Sequence, residues 1–519
     1  MVVSMDLKEL YDSIDNTLST DNVNTLINIY TSNRGNLYNG ISRYYSKNIP
    51  EYNKKYINKR DKDLFFSNCF NLWKKNVLSI SKDEFNRFLK YGSYERDFIK
   101  LRNYLLHVPD INSYEEMIDL YYGDNTPDDI KELFEKYEFS AIGQFSGWEH
   151  INSRYLNAKR TRGIMAGHRL YINTDSISLY KFLNLFVKKC FEKDIPFYFK
   201  FGLDDGNRDD TVPIYSDTEH LLDFIEIVKD IKKNNPDINF YEPPILSGKI
   251  DNIIGYGSEP DQKIIGKNDS FNNLRADIIT DSIERCRNNW IKKNINRNFG
   301  TKDKPRSIGE YFTIRCVNNY VDRLIRIYDG YINMEKKNHN SNQSIEEVVY
   351  NKLHYTPEIV NSINFKNKVY RSIYNNVNNN IHNDLNSGFS VTIDINGKGY
   401  SFHNGDFKDV LVSFTSLINK NDSSFKDIVK EDIRRNCTKY GIIPDKFSFD
   451  RTRVQNMIEI YNFRKKATIP YTPLTDKEIE EARKDIGEYK EPKPRYTREE
   501  LERIILGDDP NEKKDTKIL

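Results

Sequence analysis

The chain has 519 residues, of which 79 are basic and 77 acidic, so its formal net charge is +2. This length is sufficient for two to four domains, each with a sizeable core. A balanced charge gives no general attraction to nucleic acid or to a membrane surface, so any site for an anion must be local. We therefore expect neither nucleic acid nor a membrane as a partner.

The five cysteines, Cys69, Cys190, Cys286, Cys316 and Cys437, lie far apart and include no CxxC pair. This spacing excludes a zinc ribbon and argues against a disulfide framework, so we expect reduced, structural thiols. The first residues lack an apolar secretion signal, and no window reaches the length of a membrane span. We expect a cytoplasmic protein, unless it is exported by a non-classical route.

The hydrophobic periodicity predicts an α+β protein with four parts. Residues 1–140 show a helical pattern, and residues 141–290 alternate between strands and helices as a mixed α/β domain. Residues 291–465 are mostly helical, with one β-hairpin at Asn396-Gly397, the pair that favours a type I′ turn. The charged segment 466–519 has no apolar face of its own, so we expect a flexible tail.

Polar side chains are concentrated on the predicted strands of the central domain. His168 to Asn173 alternates, so that Arg169, Tyr171 and Asn173 share one face and His168 lies on the other. A helix and a second strand follow, and Lys200 lies in the middle of the polar face of that strand, between Phe199 and Phe201. This order predicts a β-α-β unit with Arg169, Tyr171 and Lys200 on one side.

The next elements bring further polar residues. Asp209 follows Arg208 and precedes a strand that contains Pro213 and Tyr215, and the proline predicts an edge position or a bulge. Glu259 follows another extended stretch. Ser270 is placed as the N-cap of a helix that carries Arg275, and the free amides of its first turn would face an anion.

Several standard motifs are absent from the sequence, including the P-loop, the dinucleotide fingerprint, HExxH and the GxSxG elbow. Most of the histidines are isolated from other metal-ligand residues, so we expect no metal and no organic cofactor. The basic run KRTRG, residues 159–163, is either a loop that closes over a phosphate or a solvated basic loop.

An arrangement without chemistry is also compatible with these residues. Arg169 would pair with Asp209 and Arg275 with Glu259, as structural ion pairs of a binding or scaffold domain. Lys200 would then be a solvated strand lysine.

The ordered short motifs R-x-Y-x-N, F-K, R-x-D-x-V-x-x-Y, E-P and S-F-x-x-x-R extend over residues 167–287. This series resembles the HopA effector family of type III secretion systems, which includes relatives similar to the lyase component of split lanthipeptide and thioamitide dehydratases. The resemblance implies a central lyase-like domain. It also implies β-elimination of phosphate from a phosphorylated serine or threonine, with a separate kinase supplying the phosphorylated peptide or protein.

The resemblance also implies roles for the polar residues. Lys200 suits the base, and Arg169, Arg208 and Arg275 suit a clamp for the phosphate. Tyr171 or His168 would be the acid, with Tyr171 favoured because His168 lies on the opposite strand face. The other substrate-binding candidates are Asn173, Asp209, Tyr215, Glu259 and Ser270.

The strand TVPIY is more polar than its counterpart in the family, and the region after Trp290 has no recognised counterpart. The alternative function is therefore a non-catalytic effector that binds a phosphorylated or acidic partner through the same arginines.

Overall fold

A computed structural model describes residues 7–14, 18–46, 57–79, 95–136, 143–145, 148–153, 167–202, 208–266, 269–301, 304–338, 342–385 and 389–450. The predicted tail over 466–519 and the run KRTRG lie outside these residues. The described residues all belong to one unit, Met1–Tyr461.

Among the described residues, seven helices come first, in the region where the periodicity predicts them. They are α1 (Leu7–Ser13), α2 (Thr20–Ser32), α3 (Leu37–Tyr45), α4 (Lys59–Ser79), α5 (Glu95–His107), α6 (Tyr114–Tyr122) and α7 (Asp128–Lys136). Side-chain caps fix the start of several of them. The hydroxyl of Ser113, for example, accepts a hydrogen bond from the Glu116 amide at the start of α6.

An eight-stranded antiparallel sheet forms the centre of the molecule. Its strands are β1 (Gly143–Phe145), β2 (Trp148–Asn152), β3 (His168–Thr174), β4 (Tyr198–Gly202), β5 (Val212–Ser216), β6 (Phe240–Tyr241), β7 (Gly248–Lys249) and β8 (Ile254–Ser258). The strand order is β1-β2-β4-β5-β3-β8-β7, and β6 also pairs with β3. Strand β3 is therefore an inner strand, paired with β5 on one side and with β8 on the other.

The predicted β-α-β unit is present in a split form. The helix α8 (Leu179–Glu192) connects β3 to β4, but β5 is inserted between these two strands. Pro213 lies in β5 and is therefore in an inner strand, so the expected edge position is wrong. The pairing of β3 with β5 continues through Pro213, whereas the pairing of β4 with β5 includes only Tyr198 and Phe199. A proline has no N–H to donate, which agrees with the short β4 ladder beside Lys200.

One face of the sheet is covered by helices. Phe186 of α8 contacts Phe197 and Phe199 edge-on, and it also packs against Phe224 of the helix α9 (Leu221–Asn234). Phe65 of α4 contacts Phe201 on the same face. This aromatic layer fixes the polar residues that alternate with it on the opposite face.

The remaining elements are mostly helical, with three small hairpins. They are α10 (Gln262–Ile265), α11 (Phe271–Lys293), β9 (Phe299–Thr301), β10 (Lys304–Arg306), α12 (Ile308–Asn338), α13 (Ile345–Leu353), α14 (Pro357–Asn361), α15 (Ile363–His382), β11 (Ser390–Ile395), β12 (Lys398–His403), α16 (Asn404–Asn421), α17 (Phe425–Cys437), β13 (Ile442–Ile443) and β14 (Lys446–Asp450). Asn396 and Gly397 both have positive φ, 49° and 85°, between β11 and β12. The predicted hairpin and its turn residues are confirmed.

The α+β fold class, with helical N- and C-terminal regions around a mixed centre, is confirmed. The four domain limits stay a prediction. All five cysteines are free and buried, as expected. No helix among the described residues has the length and apolar character that crossing a bilayer requires.

Candidate active site

Most of the predicted site lies on the face of the central strands opposite to α8 and α9, where α11 packs against Tyr171. The strand register places Arg169 opposite Tyr215 of β5 and Tyr215 opposite Tyr198 of β4. Lys200 follows two residues after Tyr198, so its side chain is on the same face. The sequence prediction that Arg169, Tyr171 and Lys200 share one face agrees with this register.

Lys200 is the cation with the fewest partners on this face. Its Nζ lies 4.2 Å from the ring centre of Trp148, and the side-chain amine has no hydrogen-bond or ion-pair partner among the described residues. Burial, followed by repulsion from Arg169, lowers the pKa of Lys200 from 10.5 to about 8. A substantial fraction of the amine is therefore neutral near physiological pH.

Arg169 is held by an acid and by an aromatic ring. Its Nε donates to Oε1 of Glu259, and its Nη2 donates to Oε2 of the same residue at 2.9 Å. The guanidinium carbon also lies 4.9 Å from the ring centre of Tyr215, which stacks on Tyr198 at 4.5 Å. This bidentate pair fixes the plane of the guanidinium and leaves Nη1 for another acceptor.

Arg208 enters the face from the turn that precedes β5. Its Nε donates to Oδ1 of Asp210 at 2.9 Å, and its guanidinium carbon lies 5.0 Å from the Trp148 ring centre. Lys200 and Arg208 thus contact the same indole ring. Trp148 is an aromatic platform that both cations share.

Arg275 lies deeper, on α11, and is fully buried. Its Nε donates to the carbonyl of Phe447 at 3.2 Å, but Nη1 and Nη2 have no hydrogen-bond partner among the described residues. Burial lowers its pKa to about 10, so the side chain still carries a charge at neutral pH. A buried guanidinium with two unpaired nitrogens is costly to the fold, and an anionic ligand would offset that cost.

Tyr171 presents a second unpaired group in the same region. Its side chain is 2% exposed, and its hydroxyl has no hydrogen-bond partner among the described residues. The Phe271 ring lies 5.8 Å from the ring of Tyr171 and 4.2 Å from the guanidinium carbon of Arg275. Gly257 permits this packing, because a Cβ there would come within 2.7 Å of Phe271.

The charges of the cluster suit an anion. Arg169, Lys200, Arg208 and Arg275 are four cations, and Glu259, Asp210 and Asp450 are three carboxylates that interact with them. The difference is one positive charge when Lys200 is protonated. A phosphate monoester carries about −1.5 to −2 at neutral pH, so the face attracts it.

Three of the predicted residues form contacts within the fold. His168 is buried on the opposite face, where its ring nitrogens contact Tyr256 Oη at 2.9 Å and Thr218 Oγ1 at 3.0 Å. Asn173 donates from its amide to the Glu242 carbonyl at 2.7 Å. Asp209 uses its backbone N–H to donate to the Tyr45 carbonyl at 2.9 Å. Both ring nitrogens of His168 are occupied, so we leave it out of the site.

Ser270 is the N-cap of α11, as predicted, and its hydroxyl accepts from the Asn273 amide. Its own backbone N–H donates to Asp269, which also accepts from the Asn273 side chain. The start of the helix is thus capped by the chain's own side chains. The predicted role of these amides in holding an anion has no support in this arrangement.

The predicted ion pairs of the alternative arrangement have the wrong partners. Arg169 pairs with Glu259 instead of Asp209, and Arg208 pairs with Asp210. Arg275 forms no ion pair among the described residues. Sequence spacing could not distinguish these pairings, because Glu259 reaches Arg169 only through the pairing of β3 with β8.

Three residues of the site were missed in the sequence, namely Trp148, His150 and Tyr198. The sequence analysis assigns no strand to residues 148–152, which form β2 with alternating burial in the structure. His150 lies opposite Lys200 in the β2–β4 register, and its Nδ1 lies 2.8 Å from Tyr198 Oη. Burial and then the charge of Lys200 lower the pKa of His150 to about 4, so its ring is neutral. Tyr198 lies two residues before Lys200, so strand alternation places both on one face, and this signal could have identified Tyr198 from the sequence.

The match to known proteins falls on this part of the chain. Residues 152–303 match the HopA1 effector protein family. The HopA part of the resemblance is therefore confirmed for this segment. No curated protein and no solved structure gave a significant match. Lys200, Arg169, Arg208 and Arg275 lie inside the HopA1-matched segment, whereas Trp148 and His150 precede it.

Proposed function

We propose that this protein eliminates phosphate from a phosphorylated serine or threonine of a peptide or protein, with Lys200 as the base. The observation that carries the proposal is the amine of Lys200, which has no hydrogen-bond or ion-pair partner among the described residues and lies on the same sheet face as Arg169 and on the same indole ring as Arg208. The HopA1 match supports it through the family resemblance. A separate kinase would supply the substrate.

The reaction needs no oxidant and consumes no water. The base removes the proton from Cα of the phosphorylated residue, and the electron pair of that C–H bond forms a Cα=Cβ double bond. The Cβ–O bond breaks, and phosphate leaves with the oxygen that linked it to the side chain. The products are a dehydroamino acid and inorganic phosphate.

Lys200 suits the first step because a base must be neutral before it accepts a proton. A lysine with a pKa of about 8 has a much larger neutral fraction at pH 7.5 than an ordinary lysine. Its contact with Trp148 restricts the side chain to one region of the face. General base catalysis of this kind contributes on the order of 10²- to 10⁴-fold.

The arginines suit the phosphate. Within the part of the chain that the structure describes, Nη1 of Arg169 and both terminal nitrogens of Arg275 remain as donors. Planar guanidinium groups bind phosphate oxygens bidentately, and their charge stabilises the leaving dianion. Arg208, beside the same indole as Lys200, would bring the phosphate close to the base.

Tyr171 is our candidate for the acid that assists the leaving oxygen. Burial raises its pKa above the ordinary value of 10, so its hydroxyl keeps its proton and can donate. His150 is the second candidate, because its neutral ring lies opposite Lys200 in the β2–β4 register.

The test is incubation of the full chain with phosphoserine and phosphothreonine peptides, followed by mass spectrometry and thiol trapping. We expect loss of phosphoric acid and a product that adds a thiol at the new double bond. The Lys200→Ala variant should lose this activity, and the exposed lysine variant Lys188→Ala should retain it. A hydroxyl product would indicate hydrolysis, and an unchanged rate in Lys200→Ala would contradict the assigned base.

A non-catalytic effector that binds a phosphorylated or acidic partner is the second candidate. It is favoured by the donors that remain on these arginines among the described residues, Nη1 of Arg169 and the terminal nitrogens of Arg275, which would serve binding without turnover equally well. This function predicts saturable, salt-sensitive binding of a phosphopeptide without turnover. Binding that is indifferent to removal of the phosphate would contradict it.

A further inference from the structure

The end of helix α3 lies against the turn that carries Arg208. Tyr45 is the last residue of this helix and lies outside the HopA1-matched segment. Its carbonyl accepts a hydrogen bond from the Asp209 N–H at 2.9 Å, and Ser46 forms an isolated antiparallel bridge with Arg208. The backbone of the turn is therefore attached to the N-terminal helices.

The Ser46 side chain also contacts the guanidinium. Its hydroxyl donates to the Ser42 carbonyl at 3.0 Å, which directs a lone pair of the oxygen away from the helix. Nη1 of Arg208 donates to the same oxygen at 3.4 Å. Asp210 holds Nε of that guanidinium at 2.9 Å. Arg208 is thus held by Ser46 on one side and by Asp210 on the other.

The Tyr45 side chain extends the contact toward Tyr171. Its ring is 1% exposed, and its hydroxyl accepts from the Leu246 N–H at 3.4 Å. Pro243, three residues before Leu246, packs against Gly255, since a Cβ on that glycine would lie 2.8 Å from the proline ring. Gly255 is paired with Tyr171 across β3 and β8. Tyr45 therefore connects the Arg208 turn with the segment that borders Tyr171.

We propose that Tyr45 and Ser46 are positioning residues of the phosphate site, which hold Arg208 beside Lys200 and fix the wall next to Tyr171. This inference rests on the proposed function. It means that the site is incomplete without a helix from outside the HopA1-matched segment. Neither residue has to touch the substrate.

The experiment is a double-mutant cycle on phosphopeptide binding and turnover in the full chain. Ser46→Ala removes one contact of Arg208, so we expect KM to rise about two- to tenfold with kcat nearly unchanged. In the Arg208→Ala background, Ser46→Ala should have no further effect. Tyr45→Phe removes only the hydroxyl and should also raise KM. The same variants can also be made in the inactive Lys200→Ala chain. Their affinities for the phosphopeptide then give the double-mutant cycle without turnover.

Two matched controls separate positioning from a general effect on folding. Ser32→Ala removes a serine that likewise bonds a backbone carbonyl, at the end of α2, and Tyr44→Phe removes an exposed hydroxyl next to Tyr45. Both should behave as the wild type. The positioning role alone would be overturned if Ser46→Ala and Tyr45→Phe had the KM and affinity of the wild type. It would also be overturned if Ser46→Ala weakened binding equally in the wild-type and Arg208→Ala backgrounds. A wild-type chain that neither binds nor converts phosphopeptides would overturn the proposed function, and this role with it.

Discussion

Two polar side chains on opposite faces of strand β3, His168 and Tyr171, differ in their hydrogen bonds. On the face that packs against α8, His168 is fully buried and both of its ring nitrogens have hydroxyl partners. On the other face, the Tyr171 hydroxyl is almost as deeply buried but has no partner among the described residues. The first arrangement is what a stable core requires. The second retains an unsatisfied donor in the middle of a cationic cluster.

The difference separates residues that stabilise the fold from residues available for chemistry. Both faces contain buried aromatic and polar side chains, so burial alone does not identify a site. Unpaired donors beside a cation with a lowered pKa are more informative, because selection for stability would remove them. The following predictions test this division between the two faces.

The largest effect is expected from Lys200. Replacing Lys200 with alanine removes the base and should reduce kcat on the order of 10³-fold, with little loss of stability because no ion pair with a described residue is broken. Turnover of a phosphopeptide and thermal unfolding measure the two effects. Equal losses of activity in Lys200→Ala and in the exposed control Lys188→Ala would contradict the assignment.

Arg275→Met should separate binding from stability. It removes a buried charge whose terminal nitrogens are unpaired, so the free energy of unfolding should stay within about 1 kcal/mol of the wild type. Affinity for phosphopeptide should fall on the order of tenfold or more, because a charged donor to the phosphate is lost. Arg285→Met on the same helix, where the arginine pairs with Asp432, is the control and should bind normally. A large loss of stability with unchanged binding would make Arg275 a structural residue.

A pair of tyrosine variants compares the two faces directly. Tyr171→Phe removes an unpaired hydroxyl, so stability should be unchanged and turnover should fall about tenfold. Tyr256→Phe removes the hydroxyl that contacts His168, so stability should fall by about 1–2 kcal/mol with turnover unchanged. Chemical denaturation and initial rates give both quantities. The reverse pattern would place the chemistry on the other face.

The pH dependence gives the smallest and most specific effect. Because the pKa of Lys200 is lowered to about 8, the neutral base accumulates as pH rises through that value. The rate constant kcat/KM should therefore increase with pH and level off above about pH 9, roughly one unit above that pKa. A kcat/KM that falls as the pH rises through 8 would mean that the reaction needs protonated Lys200, which would contradict its role as the base.

The sequence predicted the strand faces better than it predicted the partners. Alternation in HRLYIN and in the next strand was sufficient to place Arg169, Tyr171 and Lys200 on one side. The pairs Arg169–Glu259 and Arg208–Asp210 were not predictable, because the strand order β4-β5-β3-β8 determines which side chains meet. Sequence order does not specify this non-local pairing.

Two further errors have physical causes. Pro213 was expected at an edge, but an inner strand tolerates it because only one of its two ladders is complete at that position. The strand at Trp148–Asn152 was missed because its sequence WEHIN does not alternate between apolar and polar residues, since Glu149 is buried on the same face as Ile151. The contact of Tyr45 with Asp209 joins parts of the chain that no local pattern connects.

The most direct measurement of the central claim is the fate of oxygen when a phosphopeptide is converted in water enriched in heavy oxygen. Elimination breaks the Cβ–O bond, so the released phosphate should contain no solvent oxygen and the peptide should carry a double bond. This result should depend on Lys200. Labelled phosphate together with a hydroxyl peptide would show cleavage of the P–O bond and would contradict the account.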